Sequence, residues 1–326
     1  MNILFVADPL ATFKPYKDST YAMMREAQAR GHGVCACEPR DIAWRNGGVV
    51  QAPVNTIILL DITPSSDTPT EVWFRTESTE LRALRDFDAI IMRKDPPFDA
   101  EYIYATHMLE QAEREGAKVF NSPRALRDHP EKLALMQFPE WAPPTLVTRS
   151  AADIRAFHAE HGDIILKPLD GMGGAGIFRV GANGMNLGAI IETLNLGGAQ
   201  TVMVQRYLPE ISEGDKRVLV IGGQPVPFAL ARIPQGNEVR GNLAAGGKGV
   251  AMPLTEREIA IAQAIGPTLA ARGLLLVGLD VIGGHLTEVN VTSPTCFQEI
   301  TQQMGFNVAG RFMDALQEAL STSARQ

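Results

Sequence analysis

The chain has 326 residues, enough for two or three domains that each enclose an apolar core. Its 45% hydrophobic and 21% charged content fits a globular protein, and a formal charge of −7 argues against a nucleic-acid binder, because no basic face is left for a phosphate backbone. No apolar run is long enough to cross a bilayer, and 1–8 reads as a first strand and not a secretory leader, so a cytoplasmic protein is expected.

In chain order, 2–7 is a buried-type strand, 8–18 a loop, and 19–30 a helix that stops at Gly31. Strands follow at 34–37, 56–60 and 89–92, then a helix at 101–115 and a strand at 117–120. Near-continuous apolar strands alternating with helices predict a parallel sheet covered on both faces, with ligands beyond the strands' C-terminal ends. Loop 8–18 and the stiff polar loop Arg93-Lys94-Asp95-Pro96-Pro97 lie there; no role is assigned to the latter. Cys35 and Cys37, in the second strand, read as packing residues, and with Cys296 they lack any disulfide framework spacing.

Ser122-Pro123 is an N-cap followed by proline at the first helical position, which predicts a helix running through Lys132 to about Met136. Pro139, Pro143 and Pro144 then break the chain. Strand 145–149, helix 150–161, strand 164–168, a glycine loop, strand 177–180, helix 187–194 and strand 201–206 form a β-α-β-β-α-β unit. A hairpin turns at Gly222-Gly223. Residues 233–248 are glycine-rich and without apolar period, the pattern of a functional lid. Thr255 and Glu258 form a capping box that opens a helix ending near Gly273. A second hairpin, 274–282 with 286–291, and a closing helix at 307–320 complete the chain. Domains are expected at 1–122, 123–206 and 207–326.

Two stretches carry chemistry. Lys167 ends an apolar run, and Gly171, Gly173, Gly174 and Gly176 follow, removing the Cβ atoms that would keep phosphate oxygens from the backbone N–H groups. The spacing also satisfies the dinucleotide fingerprint, but that motif needs a helix directly after the loop, and here a strand follows. The reading is a hairpin that covers phosphates. In the second stretch Asp280 interrupts an apolar strand, and Glu288 and Asn290 share one face of the returning strand. Buried carboxylates need compensation, and an all-oxygen set suits magnesium, with manganese as the alternative. A strict two-residue turn at Gly283-Gly284 would place Asp280 on the opposite face from Glu288. A three-residue loop or a bulge would unite all three.

Lys132, Lys167, a glycine lid and a magnesium site are what bound ATP requires. Arg217 and Arg232, on the intervening hairpin, suit a carboxylate substrate held in a bidentate fork.

Lys167-Pro-Leu-Asp-Gly-Met-Gly-Gly, Asp215-Lys-Arg-Val-Leu-Val, Arg232-Ile-Pro-Gln-Gly, Gly241-Asn-Leu-Ala-Ala-Gly-Gly, Glu288-Val-Asn-Val-Thr-Ser-Pro-Thr and Met92-Arg-Lys-Asp-Pro-Pro-Phe-Asp closely resemble the bacterial glutathione synthetases of the ATP-grasp superfamily. The resemblance spans nearly the whole chain. It implies an α/β ATP-grasp fold: an N-terminal parallel-sheet α/β domain, a small lid domain and a C-terminal antiparallel-sheet α+β domain. It implies a homotetrameric ligase that uses ATP to join γ-glutamylcysteine to glycine through an acyl phosphate. Lys132, Lys167, Gly171, Gly173 and Gly174 would bind the ATP phosphates, and Gln205, Tyr207 and Leu208 the adenine, with Asp215 beside them. Asp280, Glu288 and Asn290 would hold magnesium. Arg232, Asn290 and Ser293 would contact the peptide or the acyl phosphate, with Arg217 neutralising charge nearby.

Overall fold

Ile3 and Phe5 point to one side of the first strand and Leu4 and Val6 to the other, and all four are fully buried. Such a strand must sit inside a sheet covered on both faces. In the computed structural model, which describes residues 1–62, 72–236, 238 and 240–323, it does. β1 (Asn2–Val6), β2 (Gly33–Cys37), β3 (Gln51–Leu59), β4 (Phe74–Ala83), β5 (Ala89–Met92) and β6 (Val119–Phe120) form one sheet in the order β4-β3-β2-β1-β5-β6. β2, β1, β5 and β6 are parallel, as the alternation with α1 (Ser19–Ala29) and α2 (Ala100–Arg114) requires. β3 and β4 add an antiparallel edge, which makes the sheet mixed. β4 is the strand of this sheet that the sequence reading lacked. Its Phe-Arg-Thr-Glu-Ser-Thr-Glu-Leu-Arg-Ala run is mostly exposed, so it carries the charges of an edge strand in place of an apolar face.

The helix expected to run from Pro123 to about Met136 stops early. α3 covers only Pro123–Asp128. Pro130 has no N–H and disfavours helical backbone at His129, whose φ of −127° and ψ of 62° lie outside the helix. A 3₁₀ turn, Leu133–Gln137, follows, and Lys132 sits at its start.

The small unit forms as expected. β7 (Thr145–Thr148), α4 (Ala151–His161), β8 (Ile164–Pro168), β9 (Phe178–Val180), α5 (Leu187–Asn195) and β10 (Val202–Arg206) build an antiparallel sheet in the order β7-β10-β8-β9. Its core, Ile154, Ile164, Leu166, Ile191, Val202 and Val204, is separate from the rest.

β11 (Asp215–Ile221), β12 (Gln224–Ile233), β13 (Lys248–Pro253), β14 (Leu276–Ile282) and β15 (His285–Asn290) form an antiparallel sheet ordered β13-β12-β11-β14-β15. Helix α6 (Glu256–Ala271) opens on the expected box: Thr255 Oγ1 accepts from Glu258 N at 3.3 Å, and Glu258 Oε2 accepts from Thr255 N at 2.8 Å. β13 and the short α7 (Phe297–Met304) were not foreseen, whereas the closing α8 (Val308–Ser323) was. β13 begins at Lys248 and so ends the lid; lid positions 237 and 239 lie outside the described residues.

The first and third sheets share their cores. Val218 and Val220 of β11 join the cluster of Leu4 and Val6, and Leu219 and Ile221 join that of Ile3 and Phe5. Asn121 fastens them further: its Nδ2 donates to Leu276 O and Val291 O at 2.8 Å each, and its Oδ1 accepts from Leu276 N at 3.0 Å. The three cysteines are buried thiols, in keeping with packing roles. Among the described residues no helix is long and apolar enough to cross a membrane.

Candidate active site

β14 and β15 meet at a two-residue turn, Gly283-Gly284, both with positive φ. Ile282 pairs with His285 and Val281 with Leu286; then Thr287 bulges out, and Asp280 pairs with Glu288 and Gly278 with Asn290. A bulge reverses the face of everything beyond it, so Asp280, Glu288 and Asn290 share a face despite the short turn. The bulge also frees the Thr287 carbonyl, which accepts from Lys167 Nζ at 3.5 Å.

Between the small unit and this hairpin lies a cavity of about 280 Å³. Lys132 spans it: Nζ donates to Gly171 O at 2.8 Å and pairs with Glu288 Oε1 at 3.0 Å. Lys167 is buried, and burial, with the nearby Lys132, lowers its pKa against the pull of Glu288. From the lid, Arg240 Nη1 donates to Gly174 O at 3.2 Å, so lid and glycine loop touch over the cavity. At the other end Gln205 Nε2 donates to Thr145 Oγ1 at 3.0 Å, and Tyr207 N donates to Asp163 O at 2.9 Å beneath the Arg179 guanidinium.

The floor is a charged network. Arg217 forks onto Asp280 at 2.5 and 3.0 Å, and Arg232 Nη2 bridges Asp215 Oδ2 at 2.5 Å and Asp280 Oδ2 at 2.8 Å. Burial alone would raise the Asp280 carboxyl, but the two guanidiniums outweigh it and hold Asp280 well below the ordinary carboxylate range. Burial pushes Asp215 up to about 6, with Arg232 pulling it down.

The profile of the prokaryotic glutathione synthetase N-terminal domain matches residues 1–127, and that of the prokaryotic glutathione synthetase ATP-grasp domain matches 131–305. The chain belongs to the prokaryotic glutathione synthetase family. Among its relatives, the glutathione synthetase of Ralstonia nicotianae is 61% identical over 98% of this chain and 96% of its own length. That of Nitrosomonas europaea is 55% identical over the full length of both. The fold is ATP-grasp: D-cycloserine synthetase DcsG superposes with a TM-score of 0.67 at 16% identity, covering 98% of this chain and 100% of its own. The ATP-grasp ligase PsnB complexed with minimal precursor does so with a TM-score of 0.63 at 21% identity, covering 98% of each.

In this glutathione synthetase family member, the anticipated residues from Lys132 to Ser293 border this cavity, with a single exception. Asp280 lies behind Arg217 and Arg232, and both of its oxygens are engaged by them. Asp215, anticipated beside the adenine, is held by Arg232. Glu288 and Asn290 border the cavity and offer oxygen donors of the kind magnesium takes, whereas Asp280 shares their face of the hairpin with both oxygens turned to the two arginines.

One residue went unnoticed in the glutathione synthetase motifs. Glu131 Oε1 accepts from Val291 N, Thr292 N and Thr292 Oγ1 at 3.0, 3.1 and 2.8 Å, holding the segment between Asn290 and Ser293. Its only signal in the sequence is adjacency to Lys132, because its partners lie more than a hundred residues away.

Proposed function

We propose that this protein joins γ-glutamylcysteine to glycine with ATP, releasing glutathione, ADP and phosphate. The observation that carries the reading is the convergence of the family's motifs, from both ends of the chain, on one cavity.

A carboxylate resists attack by an amine because its oxide is a very poor leaving group. In the proposed reaction the cysteinyl carboxylate attacks the γ-phosphorus of ATP and ADP departs. Glycine's amine then attacks the acyl carbon and phosphate leaves with its oxygen. Lys132, Lys167 and the N–H groups at Gly171, Gly173 and Gly174 would hold the phosphates in line. The backbone around Gln205, Tyr207 and Leu208 would border the adenine. Arg232, with Asn290 and Ser293, would orient the peptide, and Arg217 would offset the charge that develops beside it. Asp280, Glu288 and Asn290 would hold magnesium, which when bound supplies charge neutralisation for the β- and γ-phosphates. The lid, touching the glycine loop through Arg240, would exclude water from the acyl phosphate. Family resemblance also supports a cytoplasmic homotetramer, which sedimentation analysis would test.

Incubating the protein with ATP, magnesium, γ-glutamylcysteine and glycine, and omitting each in turn, tests the reaction. Phosphate release should require all four and match the tripeptide formed. Release that is indifferent to glycine or to γ-glutamylcysteine would overturn it.

A further inference from the structure

The cavity is lined by basic groups, Lys132, Lys167, Arg206, Arg217, Arg232 and Arg240. Its carboxylates are mostly engaged. Asp215 is paired with Arg232, Glu288 with Lys132, and Glu131 takes three donors from 291–292. Asp95 differs. Its Oδ1 accepts only the Ser293 hydroxyl, and among the described residues no cation stands within ion-pair distance of it.

The two cations beside Asp95 in sequence make their hydrogen bonds elsewhere, and Arg93 acts on the Asp95 carboxylate only through space. Arg93 donates to Thr20 Oγ1 and Pro294 O at 3.0 Å each. Lys94 Nζ pairs with Asp8 Oδ1 at 2.9 Å and donates to the Asp95 carbonyl at 2.7 Å. Asp8 Oδ2 accepts from Asp95 N at 2.9 Å. The loop is therefore held from both sides, and at the solvent-exposed edge of the cavity it presents a carboxylate without an ion-pair partner, beside the segment proposed to hold the peptide.

A ligand that fits here carries a cation. Resting on the ligase reading above, two substrates bring an amine. Glycine must lose its proton before it can attack, and a carboxylate partner would keep that proton in place. The α-ammonium of the γ-glutamyl group takes no part in the chemistry and stays charged. In a cavity of positive side chains it needs one anionic contact. We propose that Asp95 is a specificity-determining residue that receives the α-ammonium of the γ-glutamyl group.

The test compares wild type and Asp95→Asn on γ-glutamylcysteine and on N-glutarylcysteine, which lacks only the α-ammonium. Losing a hydrogen bond between charged groups should raise the KM of Asp95→Asn for γ-glutamylcysteine by roughly tenfold or more, with the KM values for ATP and glycine within about twofold. Wild type should lose a similar factor on N-glutarylcysteine, and the variant should lose nothing further, since the contact can be removed only once. Asp95→Glu, which keeps the charge, should recover part of the preference. Additive losses would show that Asp95 only shapes the loop through Ser293 and would overturn the proposal, as would an unchanged KM. Absence of ligation by the wild type would overturn the ligase reading and this proposal with it.

Discussion

Asp280 stands directly across from Glu288, and the bulge at Thr287 brings the two onto one face. Without the bulge, the two-residue turn would set Asp280 opposite Thr287 and send Glu288 and Asn290 to the far side of the sheet. Asp280 is at the same time the common partner of Arg217 and Arg232, so one carboxylate serves both the proposed metal face and the arginine network.

Asp280→Asn should therefore harm folding and turnover together. It leaves two buried guanidiniums without their shared charge, a loss of about 3–5 kcal/mol by the behaviour of broken buried pairs. Urea denaturation should show that loss. Phosphate release should fall by at least about 100-fold, beyond the usual effect of removing an outer partner of a metal site.

Arg232→Lys is the cleaner probe of substrate binding, because Arg232→Ala would strand Asp215 as well. Lysine keeps the charge but cannot span two acceptors with one planar fork. The KM for γ-glutamylcysteine should rise by roughly tenfold or more, while ATP affinity, measured by calorimetry, stays within about threefold. A matching loss of ATP affinity would move Arg232 from the peptide to the nucleotide.

Gly174→Ala probes the contact between loop and lid. Gly174 has φ of +83°, and an added Cβ would lie 2.7 Å from Asn242 Oδ1 and 3.1 Å from Arg240 Cδ. The left-handed backbone alone costs about 1–2 kcal/mol with a side chain present. The expected result is a normal far-ultraviolet spectrum with an ATP KM raised by roughly fivefold or more.

His129 should give the fold an acid-sensitive joint. Its Nδ1 donates to Ala125 O at 2.7 Å, which leaves Nε2 to accept from Arg272 Nη1 at 2.8 Å. Burial, with Arg272 adding to it, lowers its pKa below the model-peptide value of 6.5. The unfolded chain thus takes up the proton first, so this stability is whole above 6.5 and declines as pH falls toward the folded pKa. Between pH 7 and 5 the melting temperature of wild type should drop more than that of His129→Gln, by scanning calorimetry. Parallel curves would remove His129 from the account.

The small unit, the two hairpins, the glycine loop and the side chains that border the cavity are all legible in the order of the residues. These signals are local: apolar runs, glycine spacing and capping boxes act within a few residues. Thr255 caps α6 as read, and Lys167 lies one residue before the end of β8. β4 escaped because a polar edge strand has no apolar face to detect, α7 because it is only eight residues long, and Pro130 cut α3 short where the capping signal alone promised a longer helix. The bulge at Thr287, the position of Asp280 behind two arginines, the hold of Glu131 on 291–292 and the contact between Asp95 and Ser293 emerge only from the folded chain. The last pair is 198 residues apart in the chain. Which donor meets which carboxylate at such separations depends on how two sheets pack through a shared core, and no pattern within either segment encodes it.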